Sequence, residues 1–234
     1  IKTNEHGTFE IEKEIVKSVY KISDFQTQEE AEHNTRKIIC PYNIKNGSAT
    51  AIPENDFKKK FPKCYAYFIS EKENLLARDK GKVNFETFFV WGRTQGLTRT
   101  GKKILNPTFS KRPRFLLVEE EDGFFTNGYG LYFREQESNG MFNDLINPIT
   151  KLENIDVVQK ILNSCIMDYY VSKTSVAIEG GYPCYQKNFI EKFNIPELTE
   201  NEIETIRSLS DPQVIDDFLI EKYQVNIYLP NLSV

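Results

Sequence analysis

The chain has 234 residues, of which 39% are hydrophobic and 13% aromatic, with a formal net charge of -4. That length and apolar content support a packed core and exclude a disordered chain. No run of eighteen apolar residues and no signal-peptide pattern occurs, so the expectation is a cytoplasmic protein that neither spans nor crosses a membrane.

The chain begins at Ile1 rather than at methionine, which leads us to expect a fragment or a processed product. In chain order, "TFEIEKEIV" alternates as a strand does, and "KSVYKISDF" reads as helical or irregular. "RKIICPY" is a strand closed by Pro41, and Asn46-Gly47 signals a turn between two extended runs. Residues 54–79 read as a helix broken near Pro62, with Tyr65, Phe68, Ile69, Leu75 and Leu76 toward the core.

From Phe85 to Arg134 the pattern predicts strands: "FETFFVW", "KILNPTF", "RFLLVEE" and "FFTNGYGLYF", the last two joined by Glu121-Asp122-Gly123. After a loop through Pro148, "ENIDVVQKILNSCIMDYYVS" has helical spacing. A loop, "KTSVAIEGGYPCY", precedes a short helix, "QKNFIEKF". Thr199 and Glu202 form a capping box for the next helix, and Asp211-Pro212 start the last. The predicted fold class is α+β: a twisted, mainly antiparallel sheet with packed helices and a helical C-terminal subdomain. The division expected is 1–195, then a helical extension, 196–234, packed on it.

Charge is unevenly distributed. Residues 78–114 hold ten bases (Arg78, Lys80, Lys82, Arg93, Arg99, Lys102, Lys103, Lys111, Arg112, Arg114) against two acids, a local balance of +8. Residues 191–221 carry nine acids against two bases. One concentrated basic stretch in an acidic chain is the footprint of a polyanion-binding surface, with ordinary solvated charge as the competing reading.

Four cysteines, Cys40, Cys64, Cys165 and Cys184, lie far apart with only two histidines, so zinc-ligand spacing is absent and reduced, packed thiols are expected. "GLTRTGKK", residues 96–103, has phosphate-loop spacing, but Lys103 stands where Ser or Thr should follow the lysine, and "ILNPTF" cannot start a helix. The Gly128-x-Gly130 pair lies in a strand-like run, where glycine marks a bulge or close backbone approach. No E-x-K pair of the common nuclease core occurs. Glu119 to Asp122 offer acidic ligands for magnesium but read more simply as a solvated hairpin tip. No complete active site and no metal site are expected in this chain.

The ordered parts carry a resemblance. They are Trp91, Arg93 and Gln95; a lysine-led strand Lys103 to Pro107; Ser110-Lys111-Arg112-Pro113; Thr126-Asn127 before an aromatic-glycine strand; then a long helix and Gly180, Gly181, Tyr182, Tyr185 and Lys187, ending in "NIP". Over roughly residues 8 to 225 this order closely resembles the target-recognition domain of TaqI-like adenine-specific DNA methyltransferases, which include type II modification enzymes and fused restriction-modification proteins.

That resemblance implies a bacterial, sequence-specific DNA-binding module over 1–195. Arg93 and Gln95, with Thr94 between them, would read guanine and adenine edges, while Arg99, Lys102 and Lys103 would neutralise phosphates. Lys111, Arg112 and Arg114 would extend the surface, with Arg112 alternatively bracing the fold. Asn127 is either DNA-facing or held in the strand, and Trp91 is either core or base-contacting. Gly180 and Gly181 would form a tight loop near a phosphate, with Tyr185 and Lys187 on the backbone, or a plain connector.

The family's Asn-Pro-Pro-aromatic motif is missing, since "LNPTF" and "INPIT" lack the second proline and aromatic. The chain is therefore expected to be non-catalytic, with no cofactor of its own. S-adenosylmethionine would belong to the parent enzyme, and the partners would be double-stranded DNA and a methyltransferase domain of the same polypeptide. The alternatives are a nuclease or nucleotide hydrolase using Glu119 to Asp122 or the Gly96 loop, and a protein-docking module using the acidic C-terminal helices.

Overall fold

The structure, a computed structural model, describes residues 1–81, 86–133, 147–178 and 180–226. Of the features expected from sequence, Lys82, Phe85, Arg134 and the loop approaching Pro148 lie outside the described residues, in part or whole. The fold is α+β, and the strand pairings resolved are all antiparallel. No helix among the described residues is long and apolar enough to cross a membrane.

In order, the elements are β1 (Lys2–Asn4), β2 (Gly7–Phe9), β3 (Val16–Lys21), α1 (Gln28–Glu32), β4 (Lys37–Ile39), β5 (Tyr42–Lys45), β6 (Ser48–Ala51), α2 (Glu54–Lys60), α3 (Pro62–Ser70) and α4 (Lys72–Leu76). There follow β7 (Lys103–Pro107), β8 (Leu116–Val118), β9 (Phe124–Thr126), β10 (Gly128–Tyr132), α5 (Ile155–Leu162), α6 (Cys165–Thr174), β11 (Ala177–Ile178), β12 (Tyr182–Pro183), α7 (Lys187–Ile190), α8 (Glu200–Ser208) and α9 (Pro212–Tyr223). They fall into two compact units, each drawn from three stretches of chain. The first comprises residues 1–19, 35–100 and 122–124; the second comprises 20–34, 101–121 and 125–234. This division does not follow the sequence-based boundary after residue 195.

The first unit is built around aromatic packing. Phe57 of α2, Phe61 at the joint, and Cys64 and Phe68 of α3 are buried with Phe88, Phe89 and Val90, and the Phe68 and Phe89 rings stack at 5.1 Å. Phe57 and Phe89 are each almost wholly buried. Burial at that level stabilises by about 1.5–3 kcal/mol per side chain. Pro62 separates α2 from α3, as expected, and starts the second of them, because proline lacks the amide that would continue the first. Ile69 and Leu76, expected in the core stripe, are instead 45% and 51% exposed. Asn46 and Gly47 form the two-residue loop of the β5–β6 hairpin, both with φ in the left-handed region, the conformation that matches strand twist.

Two expectations for the N-terminal half are corrected. "KSVYK" lies within β3, whose Val16 to Ser18 pair with β4. The stretch 86–91 forms turns and bends rather than a strand, because Arg78 satisfies its carbonyls from the side: the guanidinium donates to Phe88 O at 2.7 Å and Val90 O at 2.8 Å, while Nε donates to Leu75 O at 2.7 Å. Arg78 is thus a structural staple.

In the second unit a three-stranded sheet runs β10-β7-β8, so β8 pairs with β7 rather than with β9. The edge of β8 is closed by side-chain amides. Gln28 exchanges hydrogen bonds with Leu117, both at 2.9 Å, and Asn163 does the same with Phe115, both at 2.8 Å. Satisfying an exposed edge in this way blocks further strand addition. The Asn163 exchange also explains a correction, since the single helix expected over residues 153–172 is broken at Asn163-Ser164 into α5 and α6.

Gly128 and Gly130 are close-approach glycines: a Cβ at Gly128 would lie 2.2 Å from Asn106 O, and one at Gly130 would lie 2.8 Å from the Phe125 ring. A second cluster, the main core of this unit, joins α5 and α6 to Ile203, Ile206, Ile215 and Leu219 of α8 and α9. The C-terminal helices thus share this unit's main core. Their capping chemistry is as expected, with the Thr199–Glu202 box and Asp211 accepting from Gln213 N–H.

Candidate nucleic-acid interface

In the first unit, residues 92–99 form an exposed loop anchored at both ends. Trp91 is held by its indole N–H donating to Ile39 O at 3.1 Å and by its backbone N–H donating to the Tyr42 hydroxyl at 2.7 Å, with edge-to-face contacts to Tyr42 and Phe124. It is a structural aromatic. Farther along, Leu97 is buried and its N–H bonds Thr94 O at 3.3 Å, while Arg99 N–H bonds Gly96 O at 3.1 Å. Gly96 has φ of 81°, a conformation that L side chains rarely adopt.

Between these anchors Arg93, Thr94, Gln95 and Arg99 are exposed, and among the described residues the side chains of Arg93, Gln95 and Arg99 have no hydrogen-bond or ion-pair partner. Leu97 and Arg99 also line a cleft of about 270 Å³ together with Lys17, Tyr42, Phe61 and Asp122. Two planar guanidinium groups and an amide, held on an anchored loop and free of partners among the described residues, can donate to or accept from base edges and phosphates without first breaking a contact to those residues.

The motif "GLTRTGKK" is cut between Thr100 and Gly101 by the boundary of the two units. It makes no phosphate loop, since Lys103 opens β7 instead of a helix. Lys103 is also a correction to the expected phosphate contacts: it is fully buried, its ammonium donating to Glu120 O at 2.6 Å and Glu121 O at 3.1 Å. Lys102 is half-exposed and paired with Glu119 at 3.2 Å. The acidic turn itself is shared out, with Glu120 accepting from the Tyr20 hydroxyl at 3.0 Å and Asp122 paired with Lys17. Among the described residues no group of three or more His, Cys, Asp or Glu side chains is placed to share a metal ion. All four cysteines are buried and unpaired.

The second unit joins two predicted stretches that are distant in sequence, one around Ser110 and one around Pro183. Ser110 N–H bonds Pro183 O at 3.3 Å, Tyr185 N–H bonds Thr108 O at 2.8 Å, and Phe109 and Cys184 form an isolated bridge. As a result Lys111 lies over the Tyr182 ring, 5.4 Å from its centroid. Lys111 and Arg112 are exposed, and Arg112 has no partner among the described residues apart from its field at Asp168. Gly180 and Gly181, with φ of 89° and 75°, sit in the turn between β11 and β12.

Not every predicted residue reaches this surface. Tyr185 is buried, its hydroxyl 3.4 Å from Asp168 Oδ1, and burial pushes its phenol far above the ordinary range. Burial likewise raises the Asp168 carboxyl, opposed by the Tyr185 hydroxyl and the Arg112 charge. Arg114 is half-buried, hydrogen-bonded to the Gln26 amide oxygen, and its guanidinium is lowered by desolvation. Asn127 is exposed with φ of 66°, the one-residue joint between β9 and β10. Lys187 is exposed beside Glu191 at 3.8 Å. Sequence reasoning missed Asp168 and the pairing of Lys111 with Tyr182, both of which depend on contacts between segments distant in the chain.

No family model matches the chain, and no curated protein matches it in sequence.

Proposed function

We propose that the chain binds double-stranded DNA sequence-specifically, as the target-recognition domain of an adenine-specific DNA methyltransferase. The catalytic domain, with its S-adenosylmethionine, would lie elsewhere in the same polypeptide. The observation that carries this reading is the anchored loop 92–99, whose Arg93, Gln95 and Arg99 side chains are exposed and free of protein partners among the described residues. Forked guanidinium and amide groups match the donor and acceptor pattern of guanine and adenine in the major groove. In the first unit Arg99, and independently in the second unit Lys111 and Arg112, would offer phosphate contacts, which set register without reading sequence.

The test is selection of a random duplex library on the purified chain, followed by affinity measurements across a salt series. Arg93→Ala should cost about 1–3 kcal/mol on the selected sequence and relax one base position. Arg99→Ala should weaken all duplexes alike and reduce the salt slope by roughly one. A chain that enriches no sequence and shows no salt-dependent duplex binding is not a recognition domain.

A further inference from the structure

The hairpin of β11 and β12 leaves an apolar face uncovered. Ile178 and Tyr182 are directly opposed across the pair, which places both side chains on one face, and Val176, two residues earlier, extends it by strand alternation. These three are 58% (Val176), 44% (Ile178) and 38% (Tyr182) exposed. Water contact with three such side chains is unfavourable, so the ridge suits a partner that also has apolar surface to offer.

The surroundings of the ridge select that partner. The Lys111 ammonium stands over the Tyr182 ring, and Arg112 beside it is exposed and unpaired among the described residues. The hairpin is tied to the Thr108–Ser110 segment by Ser110 N–H bonding Pro183 O and Tyr185 N–H bonding Thr108 O, Cys184 N–H bonds Val176 O within it, and its turn is closed by Gly181 N–H bonding Ile178 O at 3.0 Å. It is thus a braced projection with an apolar edge and cations at its flank. A duplex presents the complementary pair: phosphates outside, and apolar base faces exposed only where a step is opened.

Resting on the DNA-binding reading above, we infer that this hairpin is a wedge, inserting Tyr182 and Ile178 at a deformable base step while Lys111 and Arg112 hold the adjoining phosphates. Side chains of this kind partly unstack a step and kink the duplex, and the cost of opening is least where the step is already weak.

The experiment compares a matched duplex with the same duplex carrying one central mismatch, with 2-aminopurine beside the mismatch as reporter. The wild-type chain should bind the mismatched duplex about tenfold more tightly and raise the reporter's fluorescence, because part of the opening cost is already met. Tyr182→Ala and Ile178→Ala should each bring that preference close to unity while leaving matched-duplex affinity within about threefold, and Tyr182→Phe should retain it. Equal binding of both duplexes without a fluorescence change overturns the wedge and leaves DNA binding intact. Equal loss on both duplexes in Tyr182→Ala overturns it in favour of a plain surface contact. Self-association abolished by Tyr182→Ala, with DNA binding unaffected, overturns it in favour of a second copy of the chain. Absence of binding to either duplex removes the DNA reading and the wedge together.

Discussion

The Lys103 ammonium sits 2.6 Å from the carbonyl oxygen of Glu120, inside the second unit and out of contact with solvent. It also donates to Glu121 O, so a residue expected among the phosphate contacts closes the turn after β8 from within. Lys103→Met keeps the length of the side chain and leaves those carbonyls without their donor. The expected loss is about 2–4 kcal/mol in urea denaturation. Its half-exposed neighbour makes the control, because Lys102→Ala removes only an ion pair at the surface with Glu119 and should change stability by about 0.5 kcal/mol or less. Equal effects in the two variants would contradict the burial of Lys103.

Asp168 gives a pH-dependent prediction of known sign. Burial raises its carboxyl above the usual range, so the folded state favours the protonated form. The contribution of this group to stability is therefore greatest below its unfolded pKa and is lost as pH rises through the folded one. Asp168→Asn should melt higher than wild type at pH 7 and no higher at about pH 3. Arg112→Ala, which removes a charge that lowers the Asp168 pKa, should destabilise at pH 7 and not at the acid end. Thermal melts of the three proteins at both pH values decide the point.

Glu202 has the opposite sign. Its carboxylate accepts from the Lys222 ammonium at 2.7 Å and from Thr199 N–H at 2.7 Å, and with these it is held down to about 2. That stability is fully present above the unfolded carboxyl pKa and is lost as pH falls toward the folded value. Glu202→Gln should therefore lower the melting temperature at pH 6 and converge on wild type near pH 2. Parallel melting curves over that range, with a constant gap, would show that the carboxylate charge is not the cause.

Asn127 separates a backbone role from a base-reading one. With φ of 66° as the sole residue between β9 and β10, it occupies a conformation that asparagine and glycine tolerate best. Asn127→Gly should preserve both fold and duplex affinity, whereas Asn127→Ala should cost about 1 kcal/mol of stability. A drop in duplex affinity in the glycine variant, at unchanged melting temperature, would add the side chain to the DNA contacts proposed above.

What could be read in advance was local chemistry. Asn46-Gly47, Pro62, the Thr199–Glu202 box and Asp211-Pro212 each act on the few residues around them, and each lies where its pattern predicts. The failures share the opposite property. Residues 86–91 resemble a strand until Arg78 takes up their carbonyls, and residues 153–172 resemble one helix until Asn163 turns its amide to Phe115. Lys103 and Tyr185 look like surface ligands because nothing nearby in the chain shows the carbonyls and carboxylate that receive them. For the site, residue types in the loop 92–99 were legible, while the meeting of Lys111 with Tyr182 depends on backbone bonds between segments far apart in sequence.

The three-segment make-up of each unit constrains how such a protein is synthesised and how it can be recombined. Residues 122–124 complete the first unit, so that unit cannot finish folding on the ribosome until residue 124 has emerged, by which time residues 20–34 of the second are already waiting for theirs. Neither unit can be cut out as one continuous piece. A recombination event that transfers either unit intact would therefore have to carry both together, which makes the whole block, rather than either half, the heritable cassette.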